Sequence, residues 1–265
     1  MRLSVITDEI DPRLDRALAV CEALGIATVE LRVVDGHQLV EHDDAGLRRV
    51  RTALDGGGFD CRVVDTPFLK QHVPTVDEPV LERGLAAAQA LGAGWLRVFS
   101  GLRDGAPADV GPWLAAALTA AAERARQAGV RLALEIEHVC NVATSEEARR
   151  ALDAAACDDL GVVWDPGNEA RFLGRPPEAA AFALVRDAVV HVHVKDVDAQ
   201  GDWVLLGTGI ADWPARLDEL RDAGYDGLLA VETHYADPDG GPAAATRATV
   251  AALRRLAADA EISFE

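Results

Sequence analysis

Residues 131–168 read RLALEIEHVCNVATSEEARRALDAAACDDLGVVWDPGN and contain one strand–helix–strand unit. The runs Arg131–Glu135 and Gly161–Trp164 are short and rich in aliphatic side chains, which is typical of buried strands. Between them a helical pattern begins at Ser145, and the spacing within Thr144–Glu147 indicates a capping box at its N-terminus. Because a helix joins the two strands, we expect them to lie parallel in one sheet.

The same unit recurs along the whole chain. The strand-like runs are Leu3–Thr7, Thr28–Arg32, Cys61–Asp65, Trp95–Phe99, Arg131–Glu135, Gly161–Trp164, Val189–His193 and Leu228–Val231. The helical patterns begin near Pro12, Asp43, Asp77, Asp109, Ser145, Pro177, Trp213 and Ala243. Gly92 and Gly129 stand where a helix should end in a left-handed residue, and Asp11-Pro12 predicts an N-cap followed by proline.

Eight alternating strands and helices predict an α/β fold with a parallel sheet. We expect residues 1–265 to form a single (β/α)8 TIM barrel, since about 250 residues is the usual length of this fold. An open doubly wound sheet is the alternative, but eight units favour closure. No GxGxxG motif follows the first strand, so the sequence does not indicate dinucleotide binding.

The charge of the chain limits its partners. The formal net charge is −18 at pH 7. It argues against general nucleic-acid binding, which needs clustered Lys and Arg to neutralise phosphates. It also argues against attraction to an anionic membrane surface. Nucleic acid and membrane are therefore not expected partners, an anionic substrate is not excluded, and assembly into a homo-oligomer is left open.

The cysteines and the N-terminal residues indicate the cellular compartment in which the protein is expected. Cys21, Cys61, Cys140 and Cys157 are scattered without a CxxC pair, which indicates free thiols in a reducing compartment. The first residues, MRLSVITDEI, lack the long apolar run of a signal peptide. The longest apolar stretch, near residues 113–122, is too short to span a membrane. We therefore expect a cytoplasmic protein.

Four polar residues stand at or directly after the ends of four successive strand runs: Glu135, Asp165, His193 and Glu232. In a β/α barrel these strand ends meet on one rim, where the active site lies. Three carboxylates and one imidazole that meet there predict a site for one divalent cation. Ligand sets that are rich in oxygen atoms suit Mn²⁺, Mg²⁺ or Co²⁺. We expect Mn²⁺ first, with Mg²⁺, Co²⁺ and Zn²⁺ as alternatives, because zinc also accepts His and carboxylate ligands.

These side chains also have plainer interpretations. Glu137 shares a strand face with Glu135, and either could be a solvated loop carboxylate. His191 shares a face with His193, and either could be a hydrogen-bonded core histidine. Asp165 precedes Pro-Gly and could simply organise a turn. Their joint position on four neighbouring strands favours the metal site.

Short motifs run along nearly the whole chain. They are TDEI at 7–10, VELR at 29–32, LRVFSG at 96–101, LEIEH at 134–138, WDPGN at 164–168, HVHVKD at 191–196, GTGIADW at 207–213 and VETH at 231–234. In this order they resemble the xylose isomerase-like TIM-barrel superfamily, often called sugar phosphate isomerase/epimerase. The most specific part is HxHxKD, then GxGxxDW, then a strand ending in Glu.

The resemblance implies a metal-dependent sugar isomerase or epimerase with a small, sugar-like substrate. In the family the second histidine of HxH is a ligand, which selects His193 over His191. Glu135, Asp165 and Glu232 match the other family ligands. The resemblance then makes Glu135 and Glu232 the catalytic residues. One would remove a proton next to the substrate carbonyl and the other would return it, through an enediolate stabilised by the ion.

Four further residues are predicted to contact the substrate: Asn168, Lys195, Glu30 and His72. Lys195 faces inward and could hold a hydroxyl or carboxylate. Glu30 ends the second strand and could instead pair with Arg32, whereas His72 lies in a natural lid loop. Ketose 3-epimerase relatives carry a histidine where this chain has Asn168, which argues against epimerisation of a free ketohexose.

Two other functions stay open. Loss of a β-hydroxyl after the same proton abstraction would make the chain a dehydratase, a lyase acting on an inosose or a 3-keto sugar derivative. The remote alternative is a non-catalytic sugar- or partner-binding barrel. The presence of all four predicted ligands argues against it, because a degenerate barrel would not need them.

Overall fold

A computed structural model describes residues 1–238 and 240–265 of the chain. Eight parallel strands of this described part form a closed barrel in which the first strand pairs with both the second and the last. They are β1 (Arg2–Ile6), β2 (Thr28–Leu31), β3 (Asp60–Asp65), β4 (Trp95–Val98), β5 (Arg131–Glu135), β6 (Leu160–Trp164), β7 (Val189–Val194) and β8 (Leu228–Val231). The predicted (β/α)8 TIM barrel is confirmed, and the open sheet is excluded.

Nine α-helices of the described residues surround the barrel. They are α1 (Leu14–Ala23), α2 (Asp44–Gly57), α3 (Glu78–Leu91), α4 (Gly111–Gln127), α5 (Ser145–Ala155), α6 (Pro166–Leu173), α7 (Ala179–Val185), α8 (Trp213–Asp222) and α9 (Gly241–Asp259). The sequence predicted eight, and the missed helix is α6. Its initial Pro-Gly resembles a turn, but proline also suits the first turn of a helix. Within the two described segments, no helix is long and apolar enough to cross a membrane.

The helix ends include one correction. Gly92 and Gly129 have φ angles of 72° and 70°, as predicted for residues that end α3 and α4. The predicted start of α1 at Asp11-Pro12 is wrong. The helix begins at Leu14, whose backbone N–H donates to the Asp35 carboxylate at 3.1 Å. Asp11 still accepts the backbone N–H of Arg13 at 2.8 Å, and Asp35 adds an acceptor from another segment.

The two sides of the barrel wall differ in polarity. Alternate residues of each strand face opposite sides. Outward side chains are mostly aliphatic and pack on the helices in one continuous apolar core. Several inward side chains are ionisable although buried: Glu30, Asp65, Arg97, Glu135, His191 and His193. Buried charges persist only when they are paired. These groups pair with one another, Glu30 with the two histidines and Arg97 with Asp65 and Glu135.

Candidate metal centre and active site

The C-terminal ends of β5 to β8 bring the four predicted ligands together. Glu135 ends β5, Asp165 follows β6, His193 lies on β7 and Glu232 follows β8. Each can offer one ligand atom such that the four atoms lie within 4.8 Å of one another. All four residues are buried, and the most exposed of them, Glu232, shows only 4% of its surface. We call these four residues the ligand cluster.

His193 faces the rest of the ligand cluster through its Nδ1 atom. Nδ1 lies 3.3 Å from Glu135 Oε1 and 3.3 Å from Glu232 Oε2. It lies 3.8 Å from Asp165 Oδ2. His191, two residues earlier, contacts Glu30 with its Nε2 atom instead. His193 therefore lies among the other three predicted ligands, and His191 lies beside Glu30.

Glu30 lies inside the barrel and contacts both histidines. Its Oε1 is 3.1 Å from His193 Nε2, and its Oε2 is 2.6 Å from His191 Nε2. The side chain is fully buried. These contacts do not support the prediction that Glu30 binds substrate hydroxyls. Arg32, the other predicted partner of Glu30, contacts Asp8, Glu9 and Glu232 instead.

Arg97, on β4, supports Glu135 from the neighbouring strand. Its Nε lies 3.1 Å from Glu135 Oε2, and one of its terminal nitrogens lies 2.9 Å from Asp65 Oδ2. Burial by itself would raise the pKa of Glu135, but Arg97 and His193 outweigh burial and lower it. Burial raises the pKa of Asp65 to about 8, although Arg97 opposes the shift.

Lys195 supports the other two carboxylates of the ligand cluster. Its Nζ lies 2.7 Å from Asp165 Oδ2 and also contacts Glu232 Oε2. Burial would lower the pKa of Lys195, but both carboxylates raise it and keep the ammonium charged. Burial raises the pKa of Asp165 to about 6. Against burial, Lys195 and His234 hold the pKa of Glu232 well below its usual value.

Asn168 holds two ligands in place. Its backbone N–H donates to Asp165 Oδ1 at 2.9 Å, which caps α6. Its Nδ2 donates to Asp165 Oδ2 at 2.8 Å and to Glu135 Oε1 at 3.3 Å. Its Oδ1 lies 2.9 Å from His138 Nδ1. Because Asn168 is fully buried and these atoms are engaged, the contacts do not support its predicted role in substrate binding.

Two other residues that the sequence singled out lie outside the ligand cluster. Glu137, the alternative to Glu135, pairs with Lys70 at 3.2 Å and with His138 at 2.7 Å. His72 is exposed, and its Nδ1 lies 3.2 Å from the backbone oxygen of Asp104. Nothing in these contacts of His72 supports its predicted role in substrate binding.

The loop after β7 is anchored by Asp196. Its carboxylate accepts backbone N–H groups from Gly207 at 2.9 Å, Gly209 at 3.0 Å and Ala211 at 3.1 Å. A Cβ atom on Gly209 would lie 2.3 Å from Asp196 Oδ1, so glycine is needed for this close approach. The GTGIADW motif therefore anchors a loop, and these three N–H groups bind a carboxylate of the chain itself.

The same loop carries Trp203 to the rim. Its ring centroid lies 5.9 Å from that of His138 and 5.1 Å from that of His234. Lys195 Nζ lies 5.3 Å from the ring centroid. Trp203 was not predicted from the sequence, and neither was Arg32 as a partner of Glu232 at 2.8 Å. Arg32 stands directly after β2, which was a usable signal, whereas the position of Trp203 depends on the fold of its loop.

A cavity of about 260 Å³ opens beside the ligand cluster. Its lining includes Glu135, Glu232, Arg32, Lys70 and Arg97. Small-molecule sites usually measure about 300–1,000 Å³, so this one suits a small ligand. A larger cavity of about 530 Å³ is lined by parts of residues 103–114 and 141–154. We assign the active site to the smaller cavity because it contains two carboxylates of the ligand cluster.

The ligand cluster fits a divalent cation. Ligand atoms at about 2.0–2.6 Å from an ion lie no more than about 4–5 Å apart, and the four atoms here satisfy that limit. Three carboxylates and one imidazole suit a hard or borderline ion. An ion bound there would share the carboxylates of Asp165 and Glu232 with Lys195.

The family follows from a match that covers most of the chain. Residues 18–256 match the family model described as the xylose isomerase-like TIM barrel. The chain belongs to this family, as its motifs indicated.

Curated relatives match about half of the chain. The rhizopine catabolism protein MocC of Rhizobium meliloti is 33% identical over 46% of this chain and 42% of its own length. Inosose dehydratase of Lacticaseibacillus casei is 24% identical over 47% of this chain and 47% of its own length. This chain therefore covers less than half the length of each relative.

Solved structures match the whole barrel. The IolI protein, solved with a bound zinc atom, superposes with a TM-score of 0.81 and 18% identity, over 98% of this chain and 99% of that one. An L-ribulose 3-epimerase superposes with a TM-score of 0.77 and 20% identity, over 98% and 95% of the two chains. At such identities the likeness shows the fold, and the family's enzymes make an enzyme the expected class.

Proposed function

We propose that the chain is a divalent-metal-dependent isomerase or epimerase that moves a proton next to the carbonyl group of a sugar or keto-polyol. One observation carries the proposal: the ligand cluster offers four ligand atoms within 4.8 Å of one another beside a cavity. The bound ion would supply Lewis acidity to the substrate carbonyl. Mn²⁺ is the proposed ion, and Mg²⁺, Co²⁺ and Zn²⁺ are the alternatives.

Glu135 and Glu232 are the proposed proton carriers. Both line the cavity, and they reach it from β5 and from the end of β8. The lowered pKa of each carboxylate keeps it in the ionised form that a base requires. Arg97 orients Glu135, and Lys195 orients Glu232. One carboxylate would remove the proton and the other would return it.

The charges around the cavity favour an uncharged substrate. Each cation of its lining already contacts carboxylates: Arg32 contacts Asp8, Glu9 and Glu232; Lys70 contacts Glu137; Arg97 contacts Asp65 and Glu135. The backbone N–H groups of the GTGIADW motif bind Asp196. A phosphate or carboxylate on the substrate would have to displace these pairs. We therefore propose a neutral sugar or inosose.

Dehydration of a keto-polyol is the second candidate, and Asn168 favours it. This residue replaces the histidine of ketose 3-epimerase relatives, and its amide holds Asp165 and Glu135. An inosose dehydratase is among the curated relatives. The first step would be the same proton abstraction, after which a β-hydroxyl would leave instead of a proton returning.

A screen of keto sugars, inososes and oxidised glycosides with Mn²⁺ in heavy water tests the proposal. Deuterium uptake at an α-carbon without loss of water from the product supports the isomerase or epimerase. Deuterium uptake with loss of water supports the dehydratase. Phosphorylated substrate analogues serve as controls and should react more slowly than their neutral parents. Absence of deuterium uptake from the whole panel would contradict both candidates and favour a binding protein.

A further inference from the structure

Glu30 is isolated from solvent yet contacts two imidazoles. It lies on β2 on the inner side of the barrel, and none of its surface is exposed. One carboxylate oxygen lies 3.1 Å from His193 Nε2, and the other lies 2.6 Å from His191 Nε2. The two imidazole rings stand edge to face with centroids 5.3 Å apart. Both oxygens of Glu30 are therefore engaged by the two histidines.

These contacts determine which nitrogen of His193 can bind an ion. An ionised carboxylate only accepts hydrogen bonds, so Nε2 of His193 must carry the proton. In the neutral imidazole the lone pair then lies on Nδ1. Nδ1 is the atom that faces Glu135 and Glu232 at 3.3 Å. Without an ion, Nδ1 can donate a proton to Glu135. An ion bound in the ligand cluster would take the place of that proton, while the contact with Glu30 keeps the other proton on Nε2 and orients the ring.

His191 has a matching role toward Glu30. Its Nδ1 atom is buried without a hydrogen-bond partner in the described part of the chain. Its polar contact is therefore Glu30, through Nε2. A buried carboxylate held by one histidine alone would keep a free oxygen, and an unpaired buried acceptor is costly. His191 removes that cost and limits rotation of the Glu30 carboxylate.

We propose that Glu30, braced by His191, is a positioning residue that presents Nδ1 of His193 to the metal ion. The proposal rests on the proposed metal site and adds to it the residue that orients the imidazole ligand. Ligand histidines commonly donate their second N–H to a carboxylate, and loss of that partner typically weakens metal binding by about 10–100-fold. Glu30 is therefore assigned to the ion and not to the substrate.

Glu30→Gln is the test variant, and Co²⁺ binding to chelator-treated protein is the measurement. The Gln amide can donate to Nε2, which permits the tautomer whose Nδ1 carries the proton and cannot bind an ion. We expect Co²⁺ to bind about 10–100-fold more weakly, as for other lost carboxylate partners. Glu169→Gln is the matched control, because Glu169 is equally buried but contacts Ser145 and Trp164. Its Co²⁺ affinity should stay close to that of the unaltered chain.

Two outcomes would overturn the proposal differently. Co²⁺ affinity unchanged in Glu30→Gln overturns the role of Glu30 and leaves the proposed enzyme standing. No Co²⁺ binding by the unaltered chain overturns the metal-dependent function as well. If Glu30→Gln does not fold, ¹⁵N NMR of the histidines in the unaltered Zn²⁺-loaded chain decides. We expect a protonated Nε2 and a metal-bound Nδ1 for His193, and the reverse assignment would overturn the proposal.

Discussion

The two halves of the barrel make different contributions to the same site. The second half, β5 to β8, carries the ligand cluster at its strand ends. The first half, β1 to β4, carries groups that contact those ligands: Glu30 on β2, Arg97 on β4 and Arg32 directly after β2. The second half supplies the ligands together with Lys195 and Asn168, which contact them, and the first half supplies further counter-charges and orientation.

The division has a physical reason. Three carboxylates within one small buried volume repel one another, and burial disfavours their charged forms. Arg97 reaches Glu135 from the neighbouring strand β4. Arg32 reaches Glu232 because the closed barrel places β2 and β8 on either side of β1. The carboxylates can then stay ionised without solvent. Variants in the second half should therefore reduce the chemistry, and variants in the first half should reduce stability.

The largest expected effect lies in the second half. Glu135→Gln and Glu232→Gln should each reduce deuterium exchange into a responsive substrate by about 10²–10⁴-fold, because an amide cannot carry the proton. Exchange is measured by NMR, and circular dichroism checks the fold. Glu169→Gln is the control, since Glu169 is buried but contacts Ser145 and Trp164 and does not line the cavity. Full exchange in both variants would show that the second half does not carry the chemistry.

The next effect lies in the first half. Arg97→Met would leave Asp65 and Glu135 without their buried cation. We expect a loss of about 3–5 kcal/mol in the free energy of unfolding, the usual result of removing one partner of a buried ion pair. Urea denaturation measures it. Arg126→Met, which breaks an exposed pair with Glu123, should cost no more than about 1 kcal/mol. Equal losses would contradict the assignment of Arg97 as a buried counter-charge supplied by the first half.

Metal removal tests whether the second half also gains stability from its ion. An ion that binds only the folded chain adds about 2.7 kcal/mol when its concentration is 100 times Kd. A chelator should therefore lower the melting temperature, and Mn²⁺ should restore it. Asp165→Asn lacks one carboxylate ligand and should show a smaller shift or none. A chelator effect as large in Asp165→Asn as in the unaltered chain would contradict the ligand assignment.

The smallest expected effect is on the reactivity of the cysteine thiols. This reactivity shows how tightly each half of the barrel is packed. Burial raises the pKa of Cys21, in the first half, and of Cys140, in the second, to about 12. Cys157, beyond α5, is only half-buried. One thiol should therefore react quickly with a disulfide reagent in the folded chain. Cys157→Ser should abolish that fast reaction, whereas Cys21→Ser should not. Two fast thiols would mean that a buried region opens readily.

Sequence patterns predicted the strands well, since all eight begin and end within a residue of the predicted positions. Buried strands in a parallel barrel depend on local aliphatic runs, which a sequence displays directly. The patterns missed α6, because the Pro-Gly pair after Asp165 is compatible with both a turn and a helix start. They also misplaced the start of α1, which depends on Asp35 from another segment.

The candidate site was predicted only in part, because some of its contacts also depend on segments that are distant in sequence. The four residues of the ligand cluster share a simple pattern, a polar side chain where a strand ends. Glu30 and Asn168 share that pattern too, but they point at other side chains inside the barrel instead of the cavity. Trp203 reaches the rim through a loop whose course depends on Asp196. None of these contacts has a signature within a short window of sequence.

By itself, the order of residues determined the barrel and the four strand ends from which its candidate ligands project, because periodicity and motif spacing are local properties. Only the tertiary structure decided that Glu30 and Arg97, distant in sequence from β5 to β8, hold His193 and Glu135. Electrostatic pairing depends on distance in space. The order in which the strands pair, and the closure of the barrel, set those distances and thereby decide which charges meet.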